Sequence, residues 1–147
     1  MFTKILLPID FSEHSHRCLE RILELKKHGC RIGEVVLLHV IDDRIVKFTE
    51  EMFEDTIDDA YVAQSCQQDA QKKLDELQKD LNRHRITTST MIKLGFPFST
   101  ILKVAEEIQP SIIIMGHRGH NLAEELLLGS VAEKVARKAK VSVLLVR

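Results

Sequence analysis

Tryptophan is absent from the chain, tyrosine occurs once, and only six glycines, three prolines and three cysteines are spread over 147 residues. With so few cysteines, and none of Cys18, Cys30 and Cys66 in a C-x-x-C pair, a disulfide-built scaffold is excluded. Reduced structural thiols are expected instead, Cys18 lying on a helix face. The longest largely apolar runs, such as Val35 to Ile41 and Ser111 to Met115, fall far short of the roughly 20 residues that a membrane helix needs. The first residues also lack a charged-then-apolar leader pattern, so a cytoplasmic location with no membrane association is expected. Neither sign of charge dominates: 21 Lys and Arg stand against 22 Asp and Glu, which speaks against nucleic acid as a partner. There is no G-x-x-x-x-G-K-S/T loop. The lysine and magnesium-binding hydroxyl of ordinary P-loop nucleotidases are therefore missing, and fast phosphate-bond hydrolysis is not expected.

What is there is enough for one buried core. With 44% hydrophobic and 29% charged residues, the length fits a single globular domain, residues 1–147. Phe2 to Ile9 reads as a strand closed by Asp10, and Phe11-Ser12-Glu13 leads into a helix ending near His28-Gly29. Glu34 to Ile41, EVVLLHVI, is a continuous rather than alternating run, as expected of a central strand covered on both faces, and His39 there reads as a hydrogen-bonded core residue. Asp42 to Asp59 is acidic and irregular. A long helix follows from about Tyr61 to Arg85, with Leu74, Leu77 and Leu81 on one stripe and its polar residues forming the solvated face. Ile86 to Leu94 alternates as a third strand, Gly95-Phe96-Pro97 breaks it, and Pro97 suits the first turn of a helix running to Ile108. Ile112 to Met115, Val131 to Lys140 and Val141 to Val146 supply a fourth strand, a last helix and a fifth strand. Such alternation implies an α/β fold: an open five-stranded parallel sheet with right-handed crossovers and helices on both faces.

The richest segment is Gly116 to Ser130, which follows the fourth strand: Gly116-x-x-Gly119, nine residues, then Gly129-Ser130. Glycines let a bulky anion come close to backbone N–H groups, and the start of the next helix adds free donors and a favourable dipole. The pattern is that of a phosphate-holding loop, although a glycine-spaced turn taken alone can also be only a tight connection. In an open parallel sheet a ligand lies beyond the carboxyl ends of the strands, where strand order reverses. Asp10, His39 to Asp42 and Met115-Gly116 all end strands and can converge there, Asp10 accepting a hydrogen bond from a mononucleotide. Asp10 could equally be a helix-capping or turn residue. His117 and His120 flank Gly119, and His14 and His16 stand at i, i+2. No cysteine or carboxylate completes a metal set at known ligand spacing, so the loop histidines are read as groups that approach phosphate. Magnesium would arrive with the nucleotide's own phosphates.

The segments LLPIDFSEHS, LLHVID, GFP, IIIMGHRG and LLGSVAEKVARKAKVSVLLV, in this order and over nearly the whole chain, resemble the universal stress protein family, and most closely its nucleotide-binding branch. That resemblance implies strand order 3-2-1-4-5, the adenine nucleotide alpha-hydrolase-like, Rossmann-like fold, homodimers, and ATP held between the first and fourth strands. Carried over by motif, it implies that Pro8 and Asp10 flank the adenine and ribose and that Val40 contacts the base through its backbone. Met115, Gly116 and Gly119 would line the ribose and inner phosphates, and Gly129, Ser130 and Val131 the outer ones. Two positions depart from the family pattern: Ser111 replaces a common aspartate, and Val141 replaces a common proline opening the last strand. The second bears on dimerisation through the strand Val141 to Val146.

Three functions are open at this level. The chain could be an ATP-dependent sensor or switch in a stress response, read by a protein partner that the sequence does not name. It could hydrolyse ATP slowly or phosphorylate itself, with Ser130 as acceptor. It could also be a dimeric interaction module that binds no nucleotide.

Overall fold

The computed structural model describes residues 1–52, 59–118 and 128–147, and the side chains of 1–48, 63–118 and 128–147. The elements are β1 (Phe2–Pro8), α1 (Glu13–Lys27), β2 (Ile32–Asp42), α2 (Asp43–Met52), α3 (Asp59–Arg83), β3 (Thr87–Gly95), α4 (Pro97–Ile108), β4 (Ile112–Gly116), α5 (Ser130–Lys138) and β5 (Ser142–Val146). All strand pairs are parallel, in the order β3-β2-β1-β4-β5.

Period-two alternation within continuous apolar strands splits the core into two layers. Ile5, Leu7, Ile9, Val35, Leu37 and Ile114 meet Cys18, Leu19 and Ile22 of α1 and Leu74 and Leu81 of α3 on one side. Leu6, Val36, Leu38, Ile113 and Met115 meet Ile101, Val104 and Ala105 of α4 and Ala132 and Val135 of α5 on the other. The stripe expected on the long helix is seated as read: Leu74 and Leu81 are buried, and Leu77 packs at the margin. Burial also governs the Cys18 thiol, which desolvation, and secondarily the nearby Asp10 charge, push up to about 12.

One expectation is corrected. Asp43–Met52, read as irregular, is helical. Asp42 starts it, its Oδ1 accepting from the Arg44 N–H at 3.0 Å, which is the bond an N-cap carboxylate makes. The apolar residues Ile45, Val46 and Phe48 have helical spacing, but only Val46 is buried; Ile45 and Phe48 are each 62% exposed. The acidic composition hid that short pattern. The remainder of the stretch read as irregular, residues 53–58, lies outside the described residues. Element ends shift by about two residues elsewhere: β2 begins at Ile32, and α5 spans Ser130–Lys138.

Ser111, the departure before β4, serves the edge of this strand. Its Oγ accepts from the N–H groups of Thr3 at 3.0 Å and Lys4 at 3.3 Å, tying β1 to the start of β4.

Two predictions follow from the packing. A Cβ on Gly33 would stand 2.3 Å from the Thr3 carbonyl oxygen. That oxygen is backbone in the neighbouring strand and cannot yield cheaply, so Gly33→Ala should cost about 1 to 3 kcal/mol, read as a lower urea midpoint and Tm. Native protein should give two thiols, Cys30 and Cys66, to a disulfide reagent at pH 8, and the buried Cys18 only after unfolding. Rapid modification of all three would contradict the burial assigned to Cys18.

Candidate functional site

Beyond the carboxyl edge of the sheet the two central strands part. β1 and β4 pair only at Ile5↔Ile112 and Leu6↔Ile113, whereas β1 continues beside β2 to Pro8↔Leu38 and β4 continues beside β5 to Gly116↔Val146. This is also where strand order reverses, so a crevice opens at the switch point between Pro8 and Gly116.

The β1 side is set by a tight turn. Phe11 has a φ of 61°, an uncommon conformation for a residue with a side chain, and it follows Asp10 directly. The Asp10 Oδ1 accepts from the Ser12 N–H at 3.0 Å, closing an Asx turn, and Ser12 then caps α1 by accepting from the Ser15 N–H at 3.3 Å. Asp10 therefore holds a turn. The same bond fixes where its carboxylate points. The His39 Nδ1 donates to the Ile9 carbonyl at 2.7 Å, which identifies the protonated nitrogen, and its ring lies 4.6 Å from that of Phe11. His39 is hydrogen-bonded as read, but it is half-buried at the crevice rather than deep in the core. Val40 follows it, half-buried and paired with Lys93 of β3.

The β4 side depends on a missing side chain. A Cβ on Gly116 would lie 2.8 Å from the His14 Cβ, so the first turn of α1 can rest against the end of β4 only with glycine there. The rings of His14 and His117 meet edge to face at 4.8 Å. The backbone N–H and the Nδ1 of His117 both donate to the Val146 carbonyl, at 2.9 and 3.1 Å, and the His117 carbonyl accepts from the Gly129 N–H at 2.7 Å. Strand β4 is thus stitched to β5 and to the start of α5. Gly129, buried, is the N-cap of α5, and with no side chain it leaves the N–H groups of the first turn without a side-chain acceptor. Ser130, exposed, and Val131, half-buried, are the first two helical residues, and Val131 packs against the core cluster that includes the buried Met115.

Of the residues singled out from sequence, Pro8, Asp10, Val40, Met115, Gly116, His117, Gly129, Ser130 and Val131 lie on the strand ends and the helix start around this crevice. Gly119 and His120 lie outside the described residues. The reading missed His14 as a neighbour of Gly116, because a contact between residues about a hundred positions apart leaves no local signal. It also missed Phe11, whose positive φ is invisible in composition. His14 and His16 do not act together: His14 packs on His117, while the His16 Nδ1 bonds the Ser12 carbonyl at 3.0 Å. Among the described residues no group of three or more His, Cys, Asp or Glu could hold a metal ion, and no helix is long and apolar enough to cross a membrane.

At His117 the electrostatics favour the neutral imidazole. Desolvation lowers the His117 pKa below 6.5; the bond to Val146 opposes this, and the charges of His14, Arg118 and Arg147 add to it. At the end of β2 the Arg44 guanidinium, through its hydrogen bonds, holds the Asp42 carboxyl below the usual carboxylate range.

A family model described as the universal stress protein family matches residues 1–147. Universal stress protein MJ0577 of Methanocaldococcus jannaschii is 34% identical over 158 residues, taking in 100% of this chain and 96% of that protein. The universal stress protein of Methanothermobacter thermautotrophicus is 31% identical over 150 residues, with 100% and 97% covered. The solved structure of MJ0577 matches with a TM-score of 0.86 at 35% identity over 99% of this chain and 96% of that one. A universal stress protein from Archaeoglobus fulgidus, in complex with dAMP, shares the fold, with a TM-score of 0.65 at 18% identity over 99% and 98% of the two chains.

The pH dependence of stability follows from His117. Because folding lowers its pKa from 6.5, the unfolded chain binds more protons just below that value. Its contribution is complete above pH 6.5 and is lost as pH falls through the folded pKa. Tm measured from pH 8 to pH 5 should therefore fall less steeply for His117→Gln than for the native chain, and identical slopes would remove His117 as the cause.

Proposed function

The chain belongs to the universal stress protein family, and on that premise we propose that it binds ATP in the crevice between β1 and β4 and works as a nucleotide-dependent switch in a stress response. Pro8 and Asp10 flank the adenine and ribose, and Val40 meets the base through its backbone. Met115, Gly116 and Gly119 line the ribose and inner phosphates. Gly129, Ser130 and Val131 hold the outer phosphates, which His117 and His120 approach. Magnesium comes with the phosphates rather than on a protein cage.

The observation that carries the reading is the start of α5. A glycine N-cap, tied by the 2.7 Å bond from its N–H to the carbonyl of His117 just after β4, sets the start of α5 beside the switch point with no cap side chain competing for its first-turn N–H groups. Each charge-assisted bond from such donors contributes about 1.5 to 3 kcal/mol. Three or four of them, less ordering costs, are compatible with the roughly 8 kcal/mol of micromolar affinity. That the Archaeoglobus fulgidus protein is in complex with dAMP is consistent with an adenine nucleotide in this fold. Residues 1–147 act as one domain in this reading. Two copies pair through β5, the sheet's edge strand, where Leu144 is 37% exposed. Occupancy by ATP then alters the surface around the β4–α5 connection, and a partner reads that surface.

Equilibrium dialysis of the purified chain with labelled ATP should show saturable binding in the micromolar range, weakened at least about tenfold in Gly129→Asp, whose carboxylate repels phosphate. No saturable binding below millimolar concentration would overturn the proposal. Mass spectrometry of nucleotide retained by protein purified without added ligand gives an independent check.

A further inference from the structure

Along the same rim runs a row of cations set on aromatic rings. The Arg44 guanidinium lies 4.4 Å from the centre of the Phe96 ring, and Phe96 meets Phe98 edge to face at 5.3 Å. The Lys134 and Lys138 ammonium groups lie 4.8 and 5.4 Å from the centre of Phe98. The row joins the end of β2 to α5 through the start of α4. Its cations differ in what holds their charge. Arg44 is bound to the Asp42 carboxylate at 2.6 Å, and the one acid in the first turn of α5, Glu133, is taken by Arg137 at 2.7 Å. Lys134 has no carboxylate partner among the described residues. A phenyl face attracts an ammonium group and orders it without neutralising it. Lys134 is therefore positioned but still available to an anion.

Its place on the helix says which anion. Ser130 and Lys134 are four residues apart, hence stacked on one row of α5 about 6 Å apart along the axis. Helical side chains lean toward the N-terminus, so a lysine at this position has the first turn of α5 within its reach. Phe98, which holds the ammonium, packs on the same cluster as Val131.

We propose that Lys134 is a specificity-determining residue that distinguishes nucleoside triphosphates from monophosphates by meeting the outermost phosphate beside Ser130. The inference rests on the nucleotide reading above and adds to it a side-chain selector for phosphate number. On this proposal a monophosphate lying over Gly116 ends short of Lys134, and the terminal phosphate of a triphosphate reaches it. Lys138, a turn further along α5, adds a weaker pull of the same sign.

The test compares ATP, ADP and AMP binding by calorimetry for the native chain, Lys134→Gln, Lys134→Arg and, as a control lysine already paired with Glu106 at 2.8 Å, Lys140→Gln. Lys134→Gln should weaken ATP about tenfold and leave AMP within about twofold, while Lys134→Arg and Lys140→Gln keep the native ATP/AMP ratio. The difference between native and Lys134→Gln should shrink as salt rises. Equal losses for ATP and AMP, or an unchanged ratio in a Lys134→Gln protein with native Tm, would overturn the selector role while leaving nucleotide binding standing. If the native chain binds none of the three nucleotides, the reading beneath it fails as well.

Discussion

The crevice depends on one steric condition, the approach of the first turn of α1 to the end of β4. Position 116 must present no side chain, because a Cβ there would enter the volume of the His14 Cβ at 2.8 Å. Granted that contact, the His14 and His117 rings meet, the Val146 carbonyl takes both His117 donors, and the His117 carbonyl is left to accept from Gly129. The start of α5 is thereby located relative to β1, although α5 and β1 are far apart in the chain. Any side chain at 116 would move all of these parts together.

Around that contact the sheet supplies rigidity by ordinary means. Ile5, Leu6 and Leu7 of β1 and Ile113 and Ile114 of β4 are fully buried, so the strands that part at the crevice are held firmly just below it. Dense interiors transmit small displacements rather than absorbing them. The parting itself, after Leu6↔Ile113, lets two strands share a core at one end and diverge at the other. At the opposite end Ser111 ties the same two strands together through the N–H groups of Thr3 and Lys4. Here a hydroxyl accepts the bonds that a carboxylate could accept, which accounts for the tolerance of serine at this point.

Much of the fold was legible because its signals are local. The strands are short apolar runs, α1 and α4 carry a capping serine and a first-turn proline, and the glycine pattern from Gly116 to Ser130 stands out against a glycine-poor chain. Where the local signal was mixed, the reading failed. Asp43–Met52 combines an acidic composition with a helical apolar spacing of which only Val46 finds a buried seat, and composition masked the helix. Of the candidate site, the strand-end positions of Asp10 and His39 were legible, while their turn and ring contacts were not.

By itself the sequence determined the α/β alternation, the two-sided burial of β2, and the residue types able to hold an anion, because each follows from periodicity or backbone chemistry within a few neighbouring residues. Only the tertiary structure decided that His14 closes on Gly116, that β1 and β4 separate after Leu6, and that Lys134 lies over Phe98 free of a carboxylate among the described residues. Those are meetings between segments distant in the chain. They depend on how twisted strands and packed helices fill space together, and no short stretch of residues carries that information.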